Sequence, residues 1–131
     1  MGTRDVRPEA LPREHPPVSD LAQWVAFLGG PFAVLLNLEV SYVMVDWACL
    51  TGNGWSLHVV HFASFALAVG AAWLGRSLWK RIGNDWPDAR SGSTSRSRFL
   101  AAMGALGGLL FPLVILAQWM TVMILGPCPR A

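Results

Sequence analysis

The sequence predicts an all-α integral membrane protein with three transmembrane helices, its N-terminus inside and its C-terminus outside. Three observations predict it. Three apolar stretches are each long enough to cross a bilayer, charged residues fall mostly between and beyond them, and tryptophans gather near their ends. Of 131 residues, 53% are hydrophobic and 14% charged, against roughly 25% charged in an ordinary soluble domain. A chain this short keeps much of its surface wet when folded, so a water-soluble fold has nowhere to hide that much apolar area. The aromatic set is weighted towards indole, with seven Trp and one Tyr. Trp24, Trp47, Trp55, Trp79 and Trp119 stand near segment ends, where an apolar ring with one polar N–H favours the membrane–water boundary.

Residues 1–20 are polar and contain Pro8, Pro12, Pro16 and Pro17. Four prolines without an apolar period predict a disordered cytoplasmic tail. A secretory signal peptide is not expected, because no apolar h-region or small-residue cleavage site is evident. The first helix is predicted over 21–50, with Ser19 or Asp20 able to cap it and Gln23 in the capping-box position relative to Asp20. Pro31, after Gly29-Gly30, removes a helical N–H and is expected to kink it. Thr51-Gly52-Asn53-Gly54 reads as a short turn. The second helix is predicted over 55–80, stopped by Lys80 and Arg81. A polar cytoplasmic loop follows over 82–98, and the third helix over 99–125, with a second kink at Pro112. Gly126-Pro127-Cys128-Pro129 ends it, leaving 127–131 as an outer tail and 21–126 as the transmembrane domain. Each segment reaches or exceeds the ~20 residues that cross a bilayer core. Helix is the only state in which a lone segment in lipid satisfies its own backbone.

Lysine and arginine set the orientation. Arg76, Lys80, Arg81, Arg90, Arg96 and Arg98 cluster around the long loop, the 51–54 turn has none, and the C-terminal tail has Arg130 alone. The positive-inside rule therefore predicts a cytoplasmic loop and N-terminus. The net charge of +2, with no basic patch carrying stacking aromatics outside that loop, argues against a nucleic-acid partner.

Cys49 and Cys128 then fall at the same outer surface. In an oxidising periplasm such thiols tend to pair, and a Cys49–Cys128 disulfide would tie helix 1 to helix 3. The alternative is two free thiols at neighbouring helix ends, and Cα atoms within about 7 Å decide between them.

A second constellation lies inside the membrane. On helix 1, Glu39, Tyr42 and Asp46 share one face, while Asn37 and Ser41 form a stripe on the opposite side. Polar residues on both sides imply protein neighbours on both sides. Helix 2 supplies His58 and His61, and helix 3 supplies Gln118. Counting rise from the turn places Glu39, His61 and Gln118 at similar depth, so they are expected to meet in one buried network. The plain reading of that network is interhelical hydrogen bonding. The functional reading is a proton path or a cofactor contact, since an intramembrane acid is a functional candidate by default. A copper reading draws on His58, His61, Met44 and Met120, with Met123 and the two cysteines nearby, because soft sulfur and imidazole ligands suit copper. Methionine is also ordinary filler in apolar helices. Haem is disfavoured, because His58 and His61 share one helix and cannot supply opposite axial ligands. No cofactor is expected. On helix 3, Ala101, Gly104, Ala105 and Gly108 make a small-residue face suited to close helix contact. No nucleotide-binding loop, zinc-protease helix or nucleophile elbow is present, so no catalytic residues are expected.

Short strings along all three helices carry a family resemblance. They are Gly30-Pro31, Tyr42 and Asp46-Trp47-Ala48-Cys49 on helix 1, then Leu57-His58 on helix 2. Helix 3 adds Phe99-Leu100-Ala101, Ile115-Leu116-Ala117-Gln118 and Gly126-Pro127-Cys128. In these the chain resembles a loose group of small three-helix bacterial membrane proteins, often encoded beside haem–copper terminal oxidases. The resemblance implies a non-catalytic accessory or assembly role in the bacterial inner membrane, with larger respiratory subunits as partners and helix 3's small-residue face as a contact. Two other readings stay open: a metal- or proton-handling component using Glu39, His58 and His61, and a homo-oligomeric channel or transporter.

Overall fold

The computed structural model describes residues 19–83 and 93–128. It is all-helical, with α1 over Asp20–Thr51, α2 over Trp55–Arg81 and α3 over Ser93–Leu125. All three are long and apolar enough to cross a membrane. They run up, down and up, and each packs against both others.

Local chemistry sets the boundaries. The Ser19 side chain accepts a hydrogen bond from the Ala22 N–H at 3.4 Å, satisfying one of the donors a helix start leaves open. Gly52, at φ 68°, closes α1 in the left-handed conformation that a residue without Cβ adopts freely. Ser56 Oγ donates to the Asn53 carbonyl at 2.9 Å across the turn. Lys80 and Arg81 occupy the last turn of α2, where cations complement the helix dipole. Both proline-bearing helices run on as single elements through Pro31 and Pro112.

The start of α3 departs from the sequence prediction of residue 99. The helix begins at Ser93, six residues earlier. Apolar content marks where a chain enters lipid, not where its helix begins. The polar run Ser93–Arg98 lends its carbonyls to the N–H groups of the first apolar residues and moves the open helix start away from them. Arg96 lies over the Trp24 ring at 5.8 Å, fastening this extension to the first turns of α1. The predicted tail at 1–18, the Ser91-Gly92 part of the loop with residues 84–90, and residues 129–131 lie outside the described residues.

The interior is built from small side chains. Ala26, Leu78, Ile82 and Ala101 form one buried cluster, and Ala33, Ala68 and Ile115 another. Large apolar side chains point the other way, among them Phe32, Leu35, Val43, Leu50, Trp73 and Ile124, each more than half exposed. A protein dissolved in water shows the reverse arrangement; with lipid as solvent, close backbone packing holds helices together. An added Cβ on Gly75 would sit 2.9 Å from the Gly104 carbonyl carbon, and one on Gly104 would sit 3.0 Å from the Ala26 carbonyl oxygen. The small-residue face of Ala101, Gly104, Ala105 and Gly108 is therefore consumed within the chain, with Gly108 against Ala72. The sequence suggested this face as a contact for larger subunits; in the structure its glycines pack against α1 and α2 of the same chain.

Cys49 and Cys128 are joined at one end of the bundle, Cα atoms 5.5 Å apart and 79 residues apart in sequence. Lys80, Arg81, Arg96 and Arg98 lie at the opposite end, where α2 finishes and α3 begins.

Candidate functional site

Polar groups within the bundle form two sets, one interior and one exterior. In the interior set, Asn37 is 1% exposed, and its Nδ2 donates to Gln118 Oε1 at 2.6 Å, linking α1 to α3. Asn37 Oδ1 and Ser41 Oγ are buried without a hydrogen-bond partner. His61 and Ser64 are also buried. His61 Nδ1 lies 2.8 Å from the Leu57 carbonyl one turn back. A carbonyl only accepts, so Nδ1 carries the proton and Nε2 is the acceptor.

Beside this layer, Trp119 joins α3 to α2. Its Nε1 donates to His58 Nδ1 at 2.8 Å, which places the proton of neutral His58 on Nε2. Trp119 is also inclined at 28° to the His61 ring, 6.3 Å between centroids, and lies edge-on to Phe62 at 6.4 Å. Trp55, His58, Val59, Phe62, Trp119 and Met123 line a cleft of about 420 Å³ between α2 and α3 at the disulfide end. Its walls are aromatic and aliphatic, as suits an acyl chain.

The predicted meeting of Glu39, His61 and Gln118 does not form, and His61 bonds the Leu57 carbonyl of its own helix instead. Asn37, not Glu39, meets Gln118. Glu39 and Tyr42 lie on the exposed side of α1, with Asp46, and Tyr42 is 83% exposed. The reason is angular. Glu39 follows Asn37 by two residues, or ~200° around the helix, so only one of them faces inward. Interior packing selects Asn37, because Ala26, Gly30 and Ala33 share its side. Turning Glu39 inward would drive Phe32 and Leu35 into the space that Gly30 leaves for the Phe111 ring and Ala26 for Gly104.

The exterior set therefore presents a carboxyl group to the surroundings about 12 Å along the helix from Trp47. An ionised carboxylate at the bilayer centre costs about 2.5–3.5 kcal/mol on insertion scales. Among the described residues Glu39 has no hydrogen bond or ion pair to a neighbouring helix.

The copper candidates do not converge. Cys49 and Cys128 are committed to each other, one ring nitrogen of His58 and one of His61 are hydrogen-bonded, and Met120 is exposed. Among the described residues no three His, Cys, Asp or Glu side chains come together as a ligand set. The Trp119–His58 bond was not anticipated from sequence. Its signal is the one-residue step from Gln118, which turns Trp119 by ~100° towards α2.

The interior bond is testable by a cycle. Asn37→Leu should lower the thermal midpoint in detergent by the equivalent of about 1 kcal/mol, because Gln118 loses its partner while half-buried. Adding Gln118→Leu should recover part of that loss, since no polar group is then stranded. Strictly additive losses would show that the two side chains do not interact.

Comparison with known protein families, curated proteins and solved structures found no match.

Proposed function

We propose that this chain is a small accessory or assembly protein of a larger membrane complex, with a respiratory terminal oxidase as the complex its resemblance points to. The observation that carries the reading is the outward acidic face of α1. A carboxyl group held towards lipid at that depth is stabilised by a protein neighbour that supplies a partner. The interior supports the same reading. Gly and Ala side chains close the bundle, leaving about 10 Å³ among Ala26, Gly30, Ala68, Gly104 and Gly108. We assign the chain no catalytic step of its own.

The compartment follows from the two ends. A joined Cys49 and Cys128 suits an oxidising exterior, and the basic end suits the cytoplasm. Both features are consistent with a bacterial inner membrane and an N-terminus inside. A proton path from Glu39 through His61 is not favoured, because Glu39 is exposed on the outer side of α1 while His61 is buried on α2.

Purification in mild detergent tests the reading. The chain should migrate on native gels with haem-containing oxidase subunits. A monodisperse monomer without any respiratory subunit would overturn the oxidase assignment.

A further inference from the structure

We propose that the outward face of α1 seats one transmembrane helix of a partner protein, and that this helix carries a lysine or arginine level with Glu39. This deepens the accessory reading. It rests on that reading for the existence of a partner, not for the partner being an oxidase.

The face has the pattern of a helix seam. Val25, Leu28, Phe32 and Leu35 are exposed along it and are spaced alternately by three and four residues. Glu39, Tyr42 and Asp46 continue the same spacing, also exposed. A repeat of seven residues keeps one face of a helix against one neighbour along its length. The buried stripe of Gln23, Ala26, Gly30, Ala33 and Asn37 repeats alike on the other side and is filled by α2 and α3. The outward stripe is therefore a second seam, with none of the described helices in it.

Charge selects the occupant. Between Leu21 and Gly75, and again between Phe99 and Leu125, the chain contains no lysine or arginine. A second copy pairing through this face in the same orientation would set Glu39 against Glu39 and Asp46 against Asp46, with no cation to separate them. Like charges so placed oppose association. A basic side chain from a different protein supplies the missing charge, and guanidinium or ammonium donors match a carboxylate directly. The Tyr42 hydroxyl one turn further on offers a hydrogen bond to the same helix.

The experiment places a photo-cross-linking amino acid at position 35 of the full chain in its native membrane, with position 67 on α2 as control. Products are sequenced. Position 35 is expected to capture a protein whose transmembrane segment bears Lys or Arg at the depth of Glu39, and position 67 is not. Glu39→Gln should reduce that product by about thirtyfold or more, the loss expected when one member of a buried charge pair is removed. Formation of the Cys49–Cys128 bond reports that each variant is folded. Glu39→Lys should abolish the product, and restoring it by placing an acid at the partner's basic position would confirm the pairing. Capture of a non-respiratory protein with such a helix keeps this inference and removes the oxidase assignment. Capture of a second copy, of lipid alone, or of a helix without a basic residue overturns the inference, as does a yield indifferent to Glu39→Gln.

Discussion

Gly75→Ala lowers the thermal midpoint of the purified protein in detergent, whereas Gly70→Ala leaves it unchanged or raises it slightly. Both substitutions add one methyl group to α2. At Gly75 that methyl would lie 2.9 Å from the Gly104 carbonyl carbon, 3.2 Å from the Ala105 nitrogen and 3.3 Å from the Gly104 Cα. All three are backbone atoms, so no rotamer change relieves the crowding and the two helices must separate. Overpacking of this kind costs about 1–3 kcal/mol. Alanine's better helix propensity, worth about 1 kcal/mol over glycine, offsets part of it. At Gly70 nothing lies within 4 Å of the added methyl, so only the propensity gain remains. Gly30→Ala should also lower the midpoint, because the added methyl would overlap the Phe111 ring, its Cγ 3.0 Å away, and that ring is already packed against Gly107. Equal midpoints for the Gly75 and Gly70 variants would refute the close α2–α3 contact.

Removing the covalent tie has the second large effect. Cys49 and Cys128 close a loop of 79 residues, and the chain-entropy relation assigns such a loop about 4–5 kcal/mol when the reference is a free unfolded chain. Helices that stay inserted in a membrane or micelle are already restrained, so the smaller figure of about 2–3 kcal/mol is expected. Cys49→Ser, Cys128→Ser and reductant should each lower the midpoint by on the order of 10 °C. The double substitution should do no more than either single one, because both remove the same bond. A midpoint insensitive to reductant would show that the thiols are not paired in the folded protein.

Helix number and span were legible in the sequence, because lipid demands about 20 apolar residues per crossing whatever surrounds the helix. The paired cysteines were legible too, since topology alone brings residues 49 and 128 to one end. What periodicity could not show was the rotation of each helix. In water an apolar stripe marks the inward face. Here Phe32 and Leu35 on one side of α1 are as apolar as Ala33 on the other, and size, not hydropathy, separates them. Ala26, Gly30 and Ala33 mark the inward face, and Asn37 belongs to their stripe. Read for size, α1 places Glu39 outside. The same criterion on α3 identified its close-packing stripe correctly but not its neighbour, which lies within the chain. The helical extension over Ser93–Arg98 carried no apolar signal, because its residues are polar or charged.

The bond at Cys49 and Cys128 makes residues 49–128 a covalent circle that holds the end of α1, the whole of α2 and the whole of α3. A break in the backbone anywhere between Gly83 and Ser93 opens that circle without releasing a fragment, and the two pieces part only when a reductant is added. Cleavage of the connection between α2 and α3 would therefore leave the two pieces one molecule.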